Sequence, residues 1–346
     1  MKKVKVGVLL VVSVLILVFP VLNVSAIYYG FDEKIDSAME YIKNNHKSEV
    51  TADIWSLLCV AAAGKMEDPE YSFMVPNISA VDFSESTPDT DIAKAIISLI
   101  IMGKDPADFE GKDLTAELTR RQKDNGAFSE NSTANSHAFN IIALELADVD
   151  YNSQNAVDYL ISLRKRDGGY TYDNSSNVGN VDTSGIALAA LSFTEYGKSN
   201  SKPTIEYLKS VLTADGNFVG KDEYAAANSC SQALAIIGLY LIGEDLFDNT
   251  WYKAATALMS YQAQNGGFAY QQGNEPDYFS THQVIPALYA LNKAYENTSP
   301  SQPRILNNPK TGDEGIHPAI ITFAVISLFI VVACVVIPII NKKNKK

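Results

Sequence analysis

Asp89 and Asp91, two residues apart in PDTDIA, are the side chains in this sequence best placed for acid chemistry, because a carboxyl held protonated by a hydrogen bond can give its proton to a substrate. Asp182, in NVDTSG, adds a third carboxyl of the same kind. Cys230, in NSCSQ, and His282, in STHQV, supply a thiol and an imidazole, with Asp277 just before the histidine. Each of these residues stands where an apolar run begins. Asn, Asp, Ser and Thr at that place accept hydrogen bonds from the free amides of a first helical turn, and an acid within the turn is favoured by the helix dipole. Capping by Asp89, with Asp91 in the first turn, therefore accounts for that pair without any reaction. A small buried thiol and a histidine at a helix start account equally for Cys230 and His282.

The elements that position these residues repeat. RQKDNGAF, RKRDGGY, LTADGNF and YQAQNGGF share one frame: Leu, three residues, a long side chain, three residues, Gly, one residue, aromatic. Its members are Gln122, Gly126 and Phe128; Arg164, Gly168 and Tyr170; Leu212, Gly216 and Phe218; and Gln262, Gly266 and Phe268, preceded by Leu118, Leu160, Leu208 and Leu258. The glycines recur at intervals of roughly 42 to 50 residues, the range of a repeat architecture. The leucine and the residue four later share a helix face, the glycine ends that helix with a left-handed residue, and the aromatic folds back into the joint. A second, polar-capped helix follows each loop. These second helices are apolar nearly all round, as in 186–191 and 233–241, and so must be buried on every side, whereas 156–163 and 205–212 are amphipathic. Six such inner helices, starting near Thr51, Asp89, Asn135, Asp182, Asn228 and Ser280, predict an all-α ring of six hairpins. The second outer helix is short or lost, with residues 67–85 covering the gap.

This frame resembles the QW-type repeat of squalene and terpene cyclases and the related repeat of protein prenyltransferase beta subunits; it is also similar to the toroid of cobalamin carriers. The resemblance covers most of 31–297 and implies an (alpha/alpha)6 toroid with a central cavity. For a cyclase it implies an Asp-x-Asp-Asp acid, of which Asp89 and Asp91 are present and the last Asp is replaced by Ile92. For a prenyltransferase it implies zinc held by Asp, Cys and His, a metal that activates a thiol. Cys230 and His282 match two ligands, while Asn228 stands where the carboxylate belongs, leaving Asp277 or Asp222 as the substitute. Other alpha/alpha toroids are glycosidases with two carboxyls some ~5 to 9.5 Å apart, which the aspartates at the inner-helix starts could supply. A binding cavity without chemistry would use Asp53, Trp55, His137, Asp182, Thr183, Gln232, Tyr278 and His282, aromatic bodies with convergent polar groups.

The two ends read as addresses. Lys2, Lys3 and Lys5 precede an apolar stretch, and Val24, Ser25 and Ala26 offer a signal-peptidase site, so 1–26 reads as a signal peptide and 27–296 as the toroid. A short proline-containing linker, 297–311, leads into Asn308, Pro309, Lys310, Thr311 and Gly312. With the uncharged run 318–340, long enough to span a bilayer, and the basic NKKNKK, this tail resembles the sorting signal of Gram-positive wall-anchored proteins. The resemblance implies a sortase that cuts after Thr311 and joins it to peptidoglycan, with the membrane as a transient partner through 318–340. The formal charge of −12 makes nucleic acid a poor partner, and three cysteines, one of them inside 318–340, exclude a disulfide scaffold. The expected protein is extracellular and wall-anchored. Its ring is expected to bind a hydrophobic or corrinoid-like small molecule, or a surface partner, without catalysis and without a cofactor. A prenyltransferase-like or cyclase-like enzyme, with zinc in the former, is the alternative, and a carbohydrate-active toroid the third option.

Overall fold

The structure, a computed structural model, describes residues 30–298 except 49, 82, 173–175 and 222–224. The expected signal peptide, sorting motif and apolar run 318–340 lie outside the described residues, among which no helix is long and apolar enough to cross a membrane.

Twelve helices are described: α1 (Phe31–Asn45), α2 (Ile54–Ala62), α3 (Asp89–Ile101), α4 (Leu114–Arg120), α5 (Ala134–Ala147), α6 (Ser153–Ser162), α7 (Val181–Leu191), α8 (Glu195–Ser199), α9 (Lys202–Val211), α10 (Ser229–Ile242), α11 (Tyr252–Met259) and α12 (Tyr278–Thr298). Helices α2, α3, α5, α7, α10 and α12 pack each on the next, and α12 returns to α2, closing an inner ring. Around it lie α1, α4, α6, α9 and α11. Where a second outer helix would stand, the chain forms two 3-10 turns, Pro69–Met74 and Ile78–Ala80, as the irregular sequence there led one to expect. The protein is thus an all-helical alpha/alpha toroid.

Burial explains which helix went where. Every residue of α7 except Asp182 is buried, whereas α6 buries only Ala156, Val157 and Leu160. Side-chain caps start most of the inner helices: Asp53 accepts from the amides of Trp55 and Ser56, Thr133 from Ser136, Asn180 from Thr183, Asn228 from Ser231 and Asp277 from Ser280. Asp89 departs from its expected role. Pro88 occupies the cap of α3 without a side-chain bond, and Asp89 is the first helical residue, buried, its carboxylate accepting from Asn140 Nδ2 at 2.6 Å.

The repeated loops are the joints between hairpins. Gly126, Gly168, Gly216 and Gly266 have φ of 88°, 92°, 90° and 91°, a left-handed region that a side chain resists. Each also abuts the backbone of the next outer helix: a Cβ on Gly266 would stand 2.4 Å from the Ser37 carbonyl oxygen, and the other three would meet Asn155, Pro203 and Lys253 in the same way. Since Ser37 lies in α1, the fourth joint ties the last hairpin to the first. Phe128, Tyr170, Phe218 and Phe268 are all buried behind these joints.

Candidate functional site

Each inner helix turns one face toward the outer helices and another toward the axis of the ring, where a cavity of about 110 Å³ remains. Helix α5 lines it with Phe139, Ile142 and Leu146, α10 with Leu234, Ile237 and Leu241, and α7 with Gly185, Ile186, Ala189 and Phe193 just past its end. The i, i+3, i+7 spacing is that of one helix face. Ile97 and Ile101 of α3, Ile54, Trp55 and Leu58 of α2, and Pro286 of α12 complete the wall. From Phe139 to Leu146 the lining runs for about 10 Å at ~1.5 Å per residue. Trp55 and Phe139 meet edge to face, ring centroids 6.1 Å apart, at one end of it. Among the described residues no ionisable side chain lines the bore, so what they offer a ligand is apolar area and dispersion contact.

Of the residues expected in the cavity, Trp55 lines it. His137 and Gln232 are fully buried but serve the joints instead. They occupy the same register, the fourth residue beyond the helix cap, as do Ser184 and Thr281. Gln232 Oε1 accepts from the Phe218 amide at 2.9 Å, while its Nε2 donates to the carbonyls of Gly216 and Ala254 at 2.8 and 3.0 Å. His137 Nε2 donates to the Ala156 carbonyl at 2.7 Å, which leaves its Nδ1 as a buried acceptor without a partner. Ser184 Oγ and Thr281 Oγ1 accept from the amides of Tyr170 and Phe268, the backbone bond that Gln232 makes in its own joint. Burial holds the His137 imidazole neutral, its pKa pulled down to about 4. The frame residues stitch the same joints from the other side: Gln122 exchanges two bonds with the backbone of Asn152, Arg164 reaches Asn200 O at 2.7 Å, and Gln262 bonds Lys34 and Ser37 of α1. Leu212 has no such group, and Gln232 takes over there.

The remaining candidates gather at the starts of the inner helices. Thr183 is buried, with its amide on the Asn180 cap; Asp182 sits in the same first turn. Asp91 is exposed in the first turn of α3. Tyr278 and His282 stack at 4.5 Å beside the start of α2, and His282 Nδ1 donates to the Tyr278 carbonyl at 2.9 Å. The Nε2 of His282 is buried and unpartnered, and desolvation lowers that imidazole's pKa.

The zinc set does not assemble. Asp277 spends its carboxylate on Ser280, amide and hydroxyl, at 2.7 and 2.8 Å, and Cys230 lies against Ser280 Oγ at 3.9 Å with its thiol pushed up to about 12 by burial. Among the described residues no group of three His, Cys, Asp or Glu could hold a metal ion. The residues present therefore do not fit a prenyltransferase-type zinc centre.

Sequence comparison decides the family. Residues 134–313, more than half of the chain, match the prenyltransferase alpha-alpha toroid domain. The chain belongs to that family. A search of curated proteins found no match. Among solved structures, this prenyltransferase-type toroid is similar to Candida albicans protein geranylgeranyltransferase-I complexed with GGPP, at 15% identity over 75% of this chain and 91% of that one, with a TM-score of 0.54. It is similar also to a polysaccharide lyase (12% identity, 79% and 98% covered, TM-score 0.57) and to a glycosyl hydrolase of family 88 from Bacteroides vulgatus (12%, 76% and 98%, TM-score 0.55). At such identities the likeness is one of fold, which hosts several activities.

The signal for the bore was present in the sequence but not separable. Inner helices are apolar on both faces, so periodicity alone does not distinguish the residues facing the axis from those facing the outer ring. Counting from the caps does: positions six, nine and thirteen beyond Thr133 and beyond Asn228 are the lining residues of α5 and α10.

Proposed function

We propose that the toroid is a binding protein whose axial bore takes the apolar part of a small molecule and leaves it chemically unchanged. The observation that carries this is the lining, contributed by all six inner helices and, among the described residues, without one ionisable group. Cavities of this order, roughly 150 Å³ in an engineered example lined by Leu, Ile and Phe, stay dry and take up apolar ligands. The size favours an aliphatic chain or a single ring over a corrinoid macrocycle. Of the aspartates that would serve a glycosidase, Asp53 and Asp277 are engaged as caps and Asp89 is bonded to Asn140. The resemblance of the two ends to a signal peptide and a sorting signal supports a location on the outside of a Gram-positive cell, tethered through Thr311 after sortase cleavage.

Native mass spectrometry of the protein isolated from its own host tests the proposal. An added organic mass that solvent extraction removes is the expected result. A single zinc-sized increment would overturn it in favour of a prenyltransferase-like enzyme.

A further inference from the structure

Lys94 lies on the stripe of α3 that carries Ile97 and Ile101 into the lining of the bore, although it is not itself among the lining residues. It is the sixth residue beyond the cap of α3, Pro88; the sixth residues beyond the caps of α5, α7 and α10 are Phe139, Ile186 and Leu234, all of which line the bore. Ile97 and Ile101, three and seven residues further along α3, continue the Lys94 stripe into the lining. The ammonium itself lies 5.4 Å from the centroid of the Phe139 ring, at the end of the bore where Phe139 meets Trp55. Among the described residues no carboxylate comes within ion-pair distance of it. A lysine stem laid along apolar surface keeps its charge at the edge, and the ring face holds it there.

An apolar bore with one cation at one end is matched by an amphiphile with one negative charge at one end. Resting on the binding role proposed for the bore, we propose that the ligand is an aliphatic carboxylate, its chain along the bore and its head on Lys94. The single charge follows from the surroundings. Asp91 is one turn back on the same helix and the protein carries a formal charge of −12, so a phosphate or diphosphate head would meet more repulsion there than a singly charged carboxylate.

The test is calorimetric titration of the full-length chain with octanoate, octanol and octyl phosphate, repeated on Lys94→Met and Lys94→Arg. The proposal expects octanoate to bind at least tenfold more tightly than octanol. It expects Lys94→Met to erase that preference while leaving octanol affinity unchanged, and Lys94→Arg to retain it. Equal affinity for octanoate and octanol, or a preference that survives Lys94→Met, would overturn the assignment of Lys94 and leave the bore standing as an apolar site. Tighter binding of octyl phosphate than octanoate would overturn the singly charged head. Binding of none of the three would overturn the bore itself and this inference with it.

Discussion

Gln232 and His137 show how far a residue type is from a role. Both look like cavity groups in the sequence, polar side chains near the start of a buried helix, and both turn outward to satisfy backbone groups of a joint. Replacing Gln232 by Ala strands the Phe218 amide and the Gly216 and Ala254 carbonyls, and buried groups so stranded cost about 1 to 3 kcal/mol each in the worst case. A loss of about 2 to 4 kcal/mol is expected in urea unfolding, with octanol affinity unchanged; a loss of ligand affinity at full stability would return Gln232 to the cavity. For His137, the folded-state pKa near 4 lies below the unfolded value of about 6.5. The unfolded chain therefore binds more protons between those values, and stability must fall as the pH drops from about 6.5 to about 4 and be insensitive to this group above that window. His282, shifted in the same direction, adds to the slope. In His137→Gln the slope should be reduced but not abolished, as measured by unfolding midpoints from pH 7 to pH 4.

At the scale of the hairpin, the joint demands glycine for two reasons at once, a positive φ and contact with the neighbouring backbone. Gly266→Val violates both, with φ 91° and 2.4 Å to the Ser37 oxygen, and should destabilise by about 2 kcal/mol or more. A melting temperature equal to that of the parent protein would contradict the geometry. This is also why the hairpins were legible in the sequence: glycine and aromatic recur wherever the physics of the turn recurs. The second outer helix was legible only as a gap, because Pro69, Pro76 and the scattered polar residues of 67–85 remove the helical pattern without specifying the 3-10 turns that take its place. Asp89 was misread by one residue. A proline at the cap position moved the aspartate inside the helix, and its partner Asn140 is some 50 residues away in the chain, beyond the reach of any local pattern.

For the whole molecule, the tie between Gln262 in the last joint and Lys34 and Ser37 in α1 makes a closed ring of what would otherwise be a solenoid. Open repeat arrays can unravel from an end, unit by unit. A closed ring has no free end, so unfolding should be a single transition. Trp55 lies in the first hairpin and Trp251 at the start of the last outer helix, so Trp55→Phe and Trp251→Phe leave one reporter each. Their fluorescence transitions in urea should each coincide with far-ultraviolet circular dichroism on the same variant; separated transitions would show that closure does not couple the hairpins. The ring as a fold was readable from the sequence, because four joints repeat one frame and six apolar inner helices stand at regular intervals. The bore was not, since the axis is defined only when six helices are placed around it.

The claim that this axis is a ligand site is tested most directly by filling it. Ala189 is nearly buried and lines the bore from α7, and Ala189→Trp would occupy the space with a ring. In calorimetric titration with octanol, the parent protein should show saturable one-site binding with a negative heat-capacity change, the mark of apolar burial. The variant, checked for an unchanged fold by circular dichroism, should show none. Saturable binding that persists in Ala189→Trp, or its absence from the parent protein, would contradict the account.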